Sequence, residues 1–157
     1  SVPVIRYAKH IGASDERLYR ALLVSDLVTI HQKTGIGRLS AYCGAVSAGC
    51  GAGAGIAYLL GGDYRAITHT IVNAVAILSG TICDGAKPSC AAKIASAVEA
   101  GILGYYMYVN DQQFRGGDGI VAKGVENTIR NVGLLASQGM KQTDRVILNI
   151  MTGDQCL

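Results

Sequence analysis

The stretch AYCGAVSAGCGAGAGIAYLL, residues 41–60, decides the fold. It lies inside 24 residues without a charge, 39–62, between Arg38 and Asp63. As a helix rising 1.5 Å per residue, that run is long enough to cross a bilayer. Composition argues against a membrane span: eleven of the 24 residues are Gly, Ser or Cys, so transfer into hydrocarbon would be weak. GCGAGAG superficially resembles a dinucleotide-binding loop, but that fingerprint follows a strand, and here the surrounding pattern is helical. The remaining reading is a buried helix from about Ser40 to the Gly61-Gly62 terminator, with its neighbours packed closely through glycine. Each interior glycine costs about 1 kcal/mol of helix propensity, so packing must offset it or the helix must bend.

The rest of the chain fits that reading. At 157 residues it suits a single domain, and only 16% of residues are charged, against about 25% in an average soluble domain. Much of the surface is therefore hidden, in a core or against a partner. Net charge is +3, and no Lys/Arg cluster alternates with aromatics, which excludes a nucleic-acid groove. Arg6, Lys9 and His10 interrupt any signal-peptide core. Five cysteines cannot all pair internally, so reduced thiols in the cytoplasm are expected. The chain starts without Met, as a piece of a longer protein would.

Helix signals recur along the sequence and strand alternation is almost absent. Ser14 caps a helix with Asp15 and Glu16 in its first turn, and Leu18, Leu22, Ser25 and Val28 share a face as far as His31. After the glycine-rich helix come segments at 64–78, at 87–109 with Pro88 in the first turn, at 120–138, and at 144–151 behind a Thr143 cap. FRGGDG, 114–119, reads as a loop. The expected architecture is all-α, a compact bundle of five to six Gly/Ala-rich helices forming one domain over 1–157.

TICDGAKPSC, 81–90, carries the chemistry. Cys90 falls in the first turn behind Pro88, and Cys43 in the first turn behind Ser40. Helix N-termini favour the thiolate, the form that binds metal. Gly85 and Ala86 leave backbone N–H groups uncovered, and Lys87 adds positive charge. The spacing Cys-x6-Cys matches neither common zinc sites nor ferredoxin runs. Metal ligands, inert buried cysteines and a disulfide therefore all stay open on these grounds. Cys50, in mid-helix, reads as a packing residue.

The segments IGRLSAYCGAVSAGCGAGAGIAYLLGG, ILSGTICDGAKPSCAAKIASAVEAG and GMKQTDRVILNIM together resemble the C-terminal half of the L-cysteine desulfidase family, related to the alpha part of iron–sulfur L-serine dehydratases. The resemblance covers nearly the whole chain. It implies that Cys43, Cys83 and Cys90 hold a [4Fe-4S] cluster, leaving one iron open as a Lewis acid. It also implies a small L-amino acid substrate: a base takes the α-proton, sulfide or water leaves, and the aminoacrylate hydrolyses to pyruvate and ammonia. Family members carry a large N-terminal region that has no counterpart here. The chain is then the cluster-binding portion of an enzyme and inactive alone, completed by that missing region and open to self-association.

Candidate bases are His31 and His69, and Lys87 is a candidate for the substrate carboxylate, each set against an ordinary structural role. Asp84 reads as a cap of its turn, and Asn73 as a hydrogen bonder in the core. Cys156, near the end of the chain, reads as a bystander or as a tail thiol for the open iron. The rival to an enzyme is a helical packing or oligomerisation domain with incidental cysteines.

Overall fold

A computed structural model describes residues 1–153. Its helices are α1 (Val2–His10), α2 (Asp15–Ile36), α3 (Gly44–Leu59), α4 (Tyr64–Leu78), α5 (Ser89–Val109), α6 (Val125–Leu134) and α7 (Lys141–Thr152). A π-helical turn, Leu135–Gly139, joins α6 to α7. The described residues contain no strand; one isolated antiparallel bridge links Tyr42 and Ile82. The fold is all-α.

The core forms around α3. Twelve of its 16 residues are buried, because neighbours press on it from several sides. On one side, a Cβ built on Gly53 would lie 2.6 Å from the Gly101 Cα of α5, and one on Gly49 would run into the backbone carbonyl of Ala97. On the other, a Cβ on Gly51 would lie 2.5 Å from Ser25 O and one on Gly55 2.9 Å from Ala21 O, both on α2. The glycines thus let backbones touch, and the packing gained offsets their poor propensity. Gly49 faces Ala97 and Gly53 faces Gly101, so α3 and α5 run parallel with a fixed offset. That offset brings Cys43 and Cys90, near the two helix starts, to nearly the same level.

Several boundaries differ from the sequence reading. Residues 2–10 form a helix that the patterning did not reveal; it starts with Pro3 in its first turn and ends with Lys9 and His10 in its last. The helix expected from Ser40 starts four residues later, with Cys43 as its N-cap. Ser40 is used otherwise: its Oγ accepts from Tyr42 N at 3.1 Å and donates to Ala136 O at 2.8 Å. The segment expected over 120–138 begins only at Val125, after Gly119 and Gly124 take positive φ. The last helix starts at Lys141, so Thr143 lies inside it and is no cap.

Asn73, fully buried on α4, is the core hydrogen bonder expected. Its Nδ2 donates to Gly104 O of α5 at 2.9 Å, and its Oδ1 accepts from Phe114 N at 3.0 Å, pinning the loop after α5. Asn73→Leu would strand both backbone groups. A loss of about 1–3 kcal/mol is expected, read as a lower urea midpoint of the full-length protein; an unchanged midpoint would show that water takes over both bonds.

No helix among the described residues is long and apolar enough to cross a membrane. One apolar face does point outward: Tyr19, Leu23, Leu27 and Ile30 of α2 are each 60–63% exposed.

Candidate functional site

Residues 41–43 and 81–83 lie side by side in opposite directions. Cys43 N donates to Thr81 O at 3.1 Å, and Cys83 N donates to Ala41 O at 2.6 Å. Side chains alternate along extended backbone, so Cys43 and Cys83 leave this pairing on the same side, and Tyr42 and Ile82 on the other. Tyr42 is buried in the core, Cys43 is nearly so, and Cys83 is half-buried. The sequence reading placed Cys43 within a first helical turn. As N-cap it instead stands at the mouth of α3, before the unpaired N–H groups.

The third thiol arrives through the glycine turn. Cys90 is the second residue of α5, and its Sγ donates to Gly85 O at 3.6 Å. Gly85 has φ +88°, a conformation that side chains rarely adopt, and a Cβ there would lie 2.9 Å from Met151 Cε. The end of α7 therefore rests on this turn. All four described cysteines are free thiols.

Asp84 does more than cap a turn. Its carboxylate receives Lys87 Nζ and, at 2.7 Å, Lys93 Nζ. Lys87 and then Lys93 hold its pKa down to about 2. Lys93 also donates to Ile82 O at 2.9 Å. Its own pKa is raised first by the bond to Asp84, against desolvation, and further by the nearby Cys43 and Cys90 thiols. One ammonium thus feels two of the cysteines and holds the residues on either side of the third. The sequence reading missed Lys93. Its signal was position: three residues after Cys90 on a helix, it shares that residue's face.

Beside Lys93 opens a cavity of about 330 Å³, lined also by Thr81, Ser89 and Ser96. That is the lower end of the roughly 300–1,000 Å³ usual for small-molecule sites.

Among the described residues, no three His, Cys, Asp or Glu side chains gather tightly enough to hold a single metal ion. An iron–sulfur cube spreads its thiolates more widely than one ion does. For that larger group the donors fit in kind: three free thiols at one end of the bundle, two of them at helix N-termini, beside two lysines.

The other candidates lie elsewhere. His31 Nε2 pairs with Glu126 Oε2 at 2.8 Å on an exposed face. His69 stacks on Tyr108, ring centroids 5.1 Å apart, nine residues or about 14 Å along α4 from its Leu78 end. Neither is brought to the cysteines. Cys50 is fully buried, and burial pushes its thiol up to about 12, consistent with packing. Cys156 lies outside the described residues.

Comparison with known proteins adds the lineage. The profile of the serine dehydratase alpha chain family matches residues 1–149. A UPF0597 protein of Desulfitobacterium hafniense is 68% identical over 99% of this chain, one of Treponema denticola 52% over 98%, and one of Bacteroides fragilis 44% over 99%. This chain spans 36% of the length of each of these relatives. No solved structure matches it. With nearly every residue covered by the family profile, including all three cysteines of the turn and the helix start, the chain belongs to the serine dehydratase alpha chain family.

Proposed function

We propose that this chain is the cluster-holding portion of an iron–sulfur-dependent L-amino acid ammonia-lyase, acting on L-cysteine or L-serine. One observation supports the reading: Lys93, one helical turn after Cys90 on α5, donates to Ile82 O and to Asp84, the two residues that flank Cys83. The family's name, serine dehydratase, supports a lyase that removes a β-substituent. In this reading Cys43, Cys83 and Cys90 hold a [4Fe-4S] cluster, which when bound supplies an open iron as Lewis acid.

The chain's own groups set the surroundings. Lys87 and Lys93 balance the charge of an anionic centre, and Asp84 keeps both ammoniums in place. Lys93 faces the 330 Å³ cavity and is the group placed to receive a substrate carboxylate, with Ser89 and Ser96 as further donors. The α-proton acceptor is assigned to the remaining part of the longer protein, since His31 pairs with Glu126 on an exposed face and His69 stacks on Tyr108 farther along α4.

The test uses the full-length protein. Anaerobic reconstitution with iron and sulfide should give about four irons per chain and charge-transfer absorption, with pyruvate released from one of the two amino acids. Folded protein that takes up no iron would overturn the reading. Lys93→Met should keep the iron and lower kcat/KM about 10–100-fold, the loss of one charge-assisted hydrogen bond of about 1.5–3 kcal/mol; unchanged kinetics would remove Lys93 from substrate binding.

The exposed apolar stripe of α2 favours a second reading, self-association of a packing domain through Leu23 and Leu27. The iron count separates the two: a chain that only packs holds none.

A further inference from the structure

A second cavity, of about 470 Å³, opens at the other end of α4. Its lining on α4 runs from Tyr64 to Val72, which leaves six residues, about 9 Å of helix, before the Leu78 end that leads to the cysteine turn. Arg65 and His69 enter it from α4, Gln113 and Arg115 from the loop after α5, and Lys123 and Gly124 from the approach to α6. Gly124 is the N-cap of α6 and has no side chain to offer, so the first N–H groups of this helix lack a side-chain cap.

Charge here is one-sided. No acid lines the cavity; of those nearby, Asp63 Oδ1 accepts from Ala66 N at 2.9 Å, Asp118 Oδ2 from the backbone N of Arg115 at 2.6 Å, and Glu126 pairs with His31 at 2.8 Å. None of the ion pairs among the described residues involves Arg65, Arg115 or Lys123. Two buried polar atoms at the cavity, His69 Nδ1 and Gln113 Oε1, have no hydrogen-bond partner. Leaving each unpaired costs about 1–3 kcal/mol, a cost that a ligand would relieve. Burial, then Arg65 and Arg115, lower the pKa of His69, which keeps the ring neutral and a single-proton donor.

We propose that this cavity is an anion site, distinct from the cysteine site, that takes the phosphate group of a small hydroxyl-bearing molecule. Arg65, Arg115 and Lys123 surround the dianion, the open N-terminus of α6 adds N–H donors, and the ligand's hydroxyl donates to Gln113. A monocarboxylate would leave at least two of the three cations without an opposite charge. That mismatch favours phosphate.

The test is calorimetric titration of the full-length protein with inorganic phosphate and with glycerol phosphate, ionic strength held constant with chloride, and acetate as a parallel arm. Saturable binding of both phosphates is expected, tighter for glycerol phosphate, with acetate at least tenfold weaker. Arg115→Gln and Lys123→Gln, both at exposed positions and so compatible with folding, should each weaken phosphate at least tenfold. Cys83→Ser should leave it unchanged, which keeps this result independent of the iron-binding proposal. Absence of saturable binding, equal binding of acetate, or full affinity in the Arg115→Gln/Lys123→Gln double variant would each overturn the assignment.

Discussion

Gly53→Ala is expected to destabilise the full-length protein by about 2 kcal/mol, although alanine is the better helix former. The added methyl would lie 2.6 Å from Gly101 Cα and 2.8 Å from Gly101 C and O, all backbone atoms that no rotamer change can move. Overpacking of this kind costs about 1–3 kcal/mol or more, and the rigid neighbours put it at the upper end. The propensity gain of about 1 kcal/mol offsets only part of it. Gly44→Ala is the control. It stands in the same helix with nothing within 4 Å of its Cβ position, so it should be neutral or slightly stabilising. Urea midpoints of the two variants should therefore move apart; equal midpoints would mean that α3 and α5 separate at little cost.

The other large effect concerns iron. Cys43→Ser, Cys83→Ser and Cys90→Ser should each reduce reconstituted iron and pyruvate formation to background in the full-length protein. A hydroxyl replaces the soft thiolate that iron–sulfur centres require, and the fold has no other described thiol at that end. Cys50→Ser is the matched comparison. Its thiol lies buried in the core, so the substitution should cost about 1 kcal/mol of stability and leave the iron count unchanged. Retained iron in all three variants would assign these cysteines to packing alone.

Helix existence was largely legible in the sequence, because caps and terminators are local. Ser14 accepts from Arg17 N as a capping serine should, and the segment read at 64–78 is α4 over those same residues. The errors came where non-local pairing competes with local pattern. Nothing local to Ser40 shows that residues 41–43 will instead pair with 81–83 and delay the helix to Gly44. For the same reason the role of Lys93 was not visible: its bond to Asp84 spans nine residues and a turn. The histidines illustrate the converse. His31 and His69 were candidates because histidine titrates near neutrality, a property of residue type that says nothing about which end of the bundle it occupies.

The glycine seam between α3 and α5 has a mechanical consequence. Side chains in an ordinary core relax by hopping rotamers, so a distance set by them varies with temperature and pressure. Here Gly49 against Ala97 and Gly53 against Gly101 bring backbone onto backbone, with little left to hop. The two helix starts bearing Cys43 and Cys90 are therefore held by an incompressible strut rather than a soft filling. Amide hydrogens along this seam should exchange among the slowest in the chain, while the spacing of the two thiols stays constant as the surrounding surface breathes.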